Sequence, residues 1–362
     1  MLKYIDEYRD KELVLNLAKK IKTYSKKSMA FMEVCGGHTM AIQKFGIPSL
    51  LPENIQLLSG PGCPVCVTSR SFIDQAAAMA RLPEVIITTY GDLIRVPGST
   101  SSLNKERSTG SDVRIVYSVL DALEIAQKNP DKKIVFLGIG FETTTPSSAA
   151  GILNARRDNI HNFFLLNSHK VMPPAMGALI DEGVKIDGYI APGHVSTITG
   201  TSIYNDIPEN YGLGCVISGF EPVDLMQSIF MLVQQVENCS PKVEIQYKRA
   251  VTIEGNKKAQ NLMDEVFEAA DSWWRGLGIL KDSGLKLRDE FKNFDAEICI
   301  PVEVEETKED KGCICGEILK GLKKPSDCKL FGKACTPSDP VGACMVSNEG
   351  SCAAHYKYRI NN

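Results

Sequence analysis

Seven short apolar runs along this chain each break off into a turn of glycine, cysteine, histidine or hydroxyl residues, and this pattern constrains the fold more than any other. The runs cover residues 29–34, 55–59, 84–89, 133–138, 163–166, 186–190 and 214–218. Runs of that length read as buried strands, and helix-like stretches at 39–45, 71–80 and 117–128 follow some of them. Strands alternating with helices predict a parallel α/β fold, whose chemistry sits at the carboxyl ends of its strands. The turn after the second run, Gly60-Pro61-Gly62-Cys63-Pro64-Val65-Cys66, organises the rest. A Cys-x-x-Cys there meets the N-terminus of the next helix, which favours a thiolate, and paired cysteines beside such a turn are a redox or metal signature. The plainer alternative is a Gly/Pro turn with two incidental thiols.

Other turns carry chemistry too. The first run ends in Cys35-Gly36-Gly37-His38. A lone cysteine is commonly a small buried hydrophobe, but the glycines give access, and His38 could act as base, acid or hydrogen-bond donor. The fourth run leads into Gly138-Ile139-Gly140-Phe141-Glu142-Thr143-Thr144-Thr145-Pro146. No third glycine follows as a dinucleotide fingerprint requires, so Glu142 and the threonines are expected to line a cleft or to cap a helix. Residues 96–111 read as a surface connector or a lid. His38 and His169, like Pro61 and Pro192, stand 131 positions apart. That offset suggests two similar α/β domains facing one cleft, with His194 at the position of Cys63 and Thr197 at that of Cys66 in the second copy.

Composition narrows the function classes. A chain of 362 residues is too long for one small core. Its net charge of −3 gives no electrostatic case for nucleic acid. Without an 18-residue apolar run or a signal-like amino terminus, it is expected to be cytoplasmic and away from membranes. Twelve cysteines in that compartment stay reduced, so their clustering argues for metal or redox chemistry. Six of them, Cys313, Cys315, Cys328, Cys335, Cys344 and Cys352, crowd the last fifty residues after a charged linker at 303–311. Their mostly wide gaps favour an iron–sulfur cluster over structural zinc, and a disulfide staple ranks third. The expected division is an N-terminal helix over 1–28 packing on the C-terminal part, α/β domains over 29–130 and 131–240, and a Cys-rich C-terminal domain over 241–362. Trp273 and Trp274 are expected in packing.

Taken together, Cys-Gly-Gly-His-Thr at 35–39, Gly-Pro-Gly-Cys-Pro-Val-Cys at 60–66, Gly-Phe-Glu-Thr-Thr at 140–144, Pro-Gly-His-Val at 192–195 and the terminal cysteine array resemble the HypD family of [NiFe]-hydrogenase maturation factors over essentially the whole chain. The resemblance implies two Rossmann-like domains with a small iron–sulfur domain, acting as a scaffold on which the Fe(CN)2CO group is built. The small chaperone HypC would share the iron, HypE would deliver cyanide, and the chain would be a monomer beforehand. Carried onto this sequence, Cys35 would ligate the mononuclear iron bearing its cyanide and carbonyl ligands. Cys63 and Cys66 would form a redox or second iron-binding pair, with His38 and Glu142 lining the cleft as further catalytic residues. A [4Fe-4S] cluster would take Cys313, Cys328, Cys335 and Cys352, leaving Cys315 and Cys344 as a redox pair. The competing readings are an iron–sulfur-dependent thiol/disulfide oxidoreductase and a zinc-stabilised assembly platform.

Overall fold

The computed structural model describes residue 3 and residues 5–308 and 310–358; the remaining positions of the expected N-terminal, linker and C-terminal segments lie outside them. Eleven strands occur among the described residues: β1 (Met29–Glu33), β2 (Ile55–Ser59), β3 (Val85–Thr89), β4 (Val113–Ile115), β5 (Lys133–Gly140), β6 (Phe163–His169), β7 (Gly188–Pro192), β8 (Gly214–Ser218), β9 (Val243–Ile245), β10 (Phe267–Trp274) and β11 (Gly278–Leu287). The seven predicted runs supply β1–β3 and β5–β8. Two sheets are wholly parallel: a five-stranded sheet ordered β2-β1-β7-β8-β9 and a four-stranded sheet ordered β4-β3-β5-β6. Strands β3, β7 and β8 are buried along their whole length. Parallel strands covered on both faces need continuous apolar sequence, and Val85-Ile86-Ile87 is such a stretch. Phe31, Phe136 and Phe163 are fully buried, each contributing roughly 1.5–3 kcal/mol by leaving water.

The fold is α/β as expected, but the boundaries at 130 and 240 do not divide the sheets. The chain leaves the first sheet after β2, builds all four strands of the second, and returns for β7–β9. An apolar run announces a buried strand without naming its neighbour, and the crossover connections decide the pairing. The 131-residue offset fails for the same reason. Pro61 and Pro192 follow or end strands of one sheet, whereas His38 lies in the helix after β1 of that sheet and His169 ends β6 of the other.

Helix α1 (Lys11–Tyr24) packs on the helix Pro222–Glu237 against the five-stranded sheet, while Tyr8 just before it lies under the Arg249 guanidinium. Ile21 and Val14 are buried there, Leu17 and Ala18 are partly so, and Leu13 faces solvent. The segment 96–111 contains a helix, Leu103–Ser108, and buries Val96 and Leu103. Just before it, Arg95 donates to the carbonyls of Val346 and Pro337 at 3.1 and 3.3 Å, tying this region to the Cys-rich segment. Trp274, fully buried, donates to Ser283 Oγ at 2.9 Å and packs on Phe141. One buried cluster joins side chains of both parallel sheets to Cys315, Cys344 and Met345. No helix among the described residues is long and apolar enough to cross a membrane.

Candidate functional site

The central position of β1 between β2 and β7 determines what surrounds Cys35. After β1 the chain passes Val34 and Cys35 and enters α2 (Gly36–Lys44), with Cys35 in extended conformation as the N-cap residue. Its Sγ, almost completely buried, sits at the helix N-terminus near the backbone N–H groups of His38 and Gly37. Burial pushes the thiol well up, and these donors oppose it. From β7 comes His194, whose Nδ1 and Nε2 lie 3.6 and 4.0 Å from Cys35 Sγ. From β2 comes Gly62, whose carbonyl accepts Gly36 N–H at 3.0 Å. A Cβ on Gly62 would stand only 2.0 Å from the Cys35 nitrogen. The glycine is therefore required by close approach of two backbones.

The ring of His38 is not the one beside Cys35. Its Nε2 donates to the carbonyls of Ser218 and Gly219 at 3.2 and 3.0 Å, and it stacks on Phe220 at 4.8 Å. Burial pulls its pKa down to about 3, so the ring is neutral, and its Nδ1 is buried without a partner. His194 is likewise kept neutral by burial, at about 4, and its ring lies 5.3 Å from that of Phe220. Beneath them, Glu33 closes β1 and accepts the Cys35 N–H at 3.0 Å. It also accepts the hydroxyls of Thr39 and Ser59, and Ser59 Oγ meets Ser351 Oγ at 2.7 Å. Burial lifts Glu33 to about 8 against these hydrogen bonds. The group lines a cavity of about 510 Å³ that also includes Lys324, Asp327 and His355.

Glu142 follows β5 in the other sheet. Gly140 takes φ of +138°, and a Cβ there would overlap Thr144 Oγ1, so the turn admits no side chain. The Thr144 and Thr145 hydroxyls donate back to the Ile139 and Phe141 carbonyls at 3.2 and 2.9 Å, rather than into a cleft. Glu142 Oε1 accepts the Met172 N–H at 3.0 Å, while Oε2 is buried with no partner. Buried Tyr204 lies within electrostatic reach of both Glu142 and Cys35, linking the two strand-end groups. Burial raises Glu142 from 4.5 to about 7. Folding thus favours its protonated form, and the stability present below pH 4.5 is lost as pH rises toward 7. Glu142→Gln should accordingly match wild type near pH 4 and exceed it at pH 8, by on the order of 3 kcal/mol in urea unfolding. Equal differences at both pH values would refute this.

Cys63 and Cys66 are buried and joined as a disulfide, with Cys63 capping the short helix α3 (Pro64–Val67). Cys66 Sγ lies 4.0 Å from the carbonyl of Ala343, next to Cys344. In the C-terminal segment the thiols of Cys313, Cys344 and Cys352 all hydrogen-bond to Cys315, with Cys335 close to Cys352. Cys328 and Cys335 flank a turn closed by Cys335 N–H to the Leu330 carbonyl at 2.9 Å. A Cβ on Gly342 would lie 2.6 Å from both Cys313 and Cys315 Sγ, so only glycine lets the backbone pack directly against these two sulfurs. Soft thiol donors around such a cradle fit an iron–sulfur group in chemistry. No group of three or more His, Cys, Asp or Glu among the described residues is arranged to hold a single metal ion. Sequence reasoning singled out the cysteines, His38 and Glu142. It placed His194 opposite Cys63 instead of Cys35, and it passed over Glu33, whose signal was a carboxylate closing an apolar run.

Parallel strands whose ends carry a single thiol and a disulfide, packed against a C-terminal nest of further thiols, define a cysteine-rich α/β protein. The chain matches the HypD family, described as "Hydrogenase formation hypA family", over residues 12–359. It is 47% identical to the hydrogenase maturation factor HypD of Azotobacter vinelandii, over 99% of this chain and 97% of that protein. It is 44% identical to the Escherichia coli hydrogenase maturation factor HypD, over 99% and 98%. With a putative hydrogenase expression/formation protein of Methanocaldococcus jannaschii the identity is 48%, over 97% and 98%. The chain belongs to the HypD family, and its role is in hydrogenase maturation.

Proposed function

We propose that this chain is the cytoplasmic scaffold on which the Fe(CN)2CO group of [NiFe]-hydrogenase is assembled. Iron is the cargo, held by Cys35 together with HypC, and cyanide arrives from HypE. The observation that carries this reading is the Cys35 thiol, set at a helix N-terminus and faced by neutral His194, on the sheet edge that also bears the Cys63–Cys66 disulfide. Soft thiolate suits low-spin iron with strong-field ligands. His194 orients the sulfur, His38 fixes the α2 turn through the Ser218 and Gly219 carbonyls, and Glu142 supplies a carboxyl that burial holds near neutrality.

Attaching cyanide also requires electrons. A [4Fe-4S] cluster held by Cys313, Cys328, Cys335 and Cys352 would supply them one at a time. Cys315 and Cys344 form the neighbouring dithiol, and Cys66 packs against the residue preceding Cys344. Thiol–disulfide exchange between that dithiol and Cys63–Cys66 then carries reducing equivalents toward the Cys35 edge. The disulfide itself favours one second reading, an iron–sulfur-dependent thiol oxidoreductase acting on a partner's disulfide. An infrared spectrum of the monomeric chain purified anaerobically with its small partner separates the two. Cyanide and carbonyl stretches are expected; a silent window with steady turnover of a disulfide substrate would favour the oxidoreductase.

A further inference from the structure

The turn between β10 and β11 inserts a cation at the junction of the two thiol sets. Arg275 follows Trp274 and is 6% exposed. Its backbone N–H donates to the Val67 carbonyl at 3.1 Å, its Nε to the Cys66 carbonyl at 3.0 Å, and its Nη2 to the Thr68 carbonyl at 2.9 Å. One residue thus captures three successive carbonyls at the end of α3. Those groups lack helical partners and carry the negative end of the helix dipole. A planar guanidinium meets several such acceptors with its rigid fork, which an ammonium cannot do.

The same turn rests on the C-terminal segment. Gly276, at φ +87°, packs so closely on Gly316 that a Cβ would stand 2.7 Å from its Cα and its carbonyl oxygen. Gly316 follows Cys315 directly, so the hairpin tip is wedged between the Cys63–Cys66 turn and the thiol nest. Beside Arg275's fork, Cys66 Sγ faces Ala343.

We propose that Arg275 is a positioning residue for electron exchange between Cys315/Cys344 and Cys63–Cys66, clamping the two thiol sets together and placing a cation at the Cys66 end of the path. The inference rests on the exchange reading given under Proposed function. In the step, a thiolate of the Cys315/Cys344 pair attacks one sulfur of Cys63–Cys66, forming a mixed disulfide and releasing the other sulfur as a thiolate that takes up a proton. The second thiol of the attacking pair gives up its proton and displaces the remaining sulfur. Two electrons and two protons have then moved to Cys63 and Cys66, a Cys315–Cys344 disulfide has formed, and no outside reductant is consumed. The guanidinium stands at the Cys66 end of this path, bonded to the Cys66 carbonyl. A cation that favours the thiolate form also stabilises the reduced pair, and so makes its disulfide more oxidising.

The test uses the full chain equilibrated anaerobically against glutathione buffers of graded potential, quenched in acid, alkylated and read by peptide mass spectrometry. In Arg275→Gln, reduction of Cys63–Cys66 should become about tenfold less favourable, a midpoint shift of about 30 mV to the negative for this two-electron couple. Arg275→Lys should recover most of the midpoint while losing as much thermal stability as Arg275→Gln. A plain cap of α3 would lower stability in both variants and leave both midpoints alone, and that result overturns the proposal. Should Arg275→Gln not fold, the lysine variant decides. There the forward exchange, timed after reducing the C-terminal pair, must be several-fold slower than wild type because the fork is lost, and an unchanged rate overturns the proposal. If wild type forms no Cys315–Cys344 disulfide as Cys63–Cys66 is reduced, the exchange reading itself has failed, a result distinct from normal exchange in both variants.

Discussion

Cys35→Ala should yield a folded protein that retains the colour of its C-terminal centre and has lost its mononuclear iron, together with every cyanide and carbonyl infrared band. The sulfur is buried at the α2 N-terminus and faces the His194 ring. Removing it leaves a small void, a cost on the order of 1 kcal/mol. The effect on iron is far larger, because the chain's own ligand disappears while the thiol nest is untouched. Metal analysis alongside visible and infrared spectra reads both outcomes in one sample. The converse change, Cys328→Ala, should remove the visible absorption without unfolding the parallel sheets. Loss of both centres in Cys35→Ala would mean that the two sites are not separate.

Gly62→Ala should be among the most damaging single-methyl additions in the molecule. The added Cβ would sit 2.0 Å from Cys35 N, 2.3 Å from its Cα and 2.3 Å from the Val34 carbonyl carbon. All three are backbone atoms, so no rotamer change relieves the clash. Either the β1 and β2 turns separate, breaking the hydrogen bond from Gly36 N–H to the Gly62 carbonyl, or the strain remains. The expected destabilisation is about 4 kcal/mol in urea unfolding, in the range of severe overpacking. Any protein that still folds should bind iron poorly, since Cys35 would be displaced from His194. Gly91→Ala is the control, because its nearest neighbour, Ile115 Cγ2, lies at 3.8 Å in ordinary contact. A Gly62→Ala protein within about 1 kcal/mol of wild type would show that the turn yields more easily than close packing allows.

Much of the architecture could be read from the chain because parallel strands buried on both faces cannot hide their composition. All seven apolar runs became strands, and their turns carry Cys35, the Cys63–Cys66 pair, Glu142 and His194. What sequence could not supply was lateral order. By spacing alone His194 stands opposite Cys63, yet β1 lies between β2 and β7, so Gly62 and His194 approach Cys35 from its two sides. Glu33 went unremarked because one carboxylate at the end of Met-Ala-Phe-Met-Glu resembles the start of a loop. The C-terminal thiols announced a soft-ligand centre by type and number. Their contacts, with Cys315 at the hub, depend on how glycine-rich turns fold back, and no periodicity encodes that. Arg275 gave no local signal, since its partners are backbone carbonyls about two hundred positions earlier.

The broken path of the five-stranded sheet governs the order in which the molecule is made. When β1 and β2 leave the ribosome, the strand that covers the other edge of β1 begins only at Gly188, after the whole second sheet has been synthesised. Contacts of such long sequence separation form late and slowly. Cys35 therefore has no His194 beside it until more than half of the chain exists, and the thiols from Cys313 onward arrive later still. A nascent chain carries the cysteines of the β1 and β2 turns without the enclosure that surrounds them in the finished protein. The enclosure of Cys35 is thereby deferred until the second sheet has been made, a timing set by topology alone.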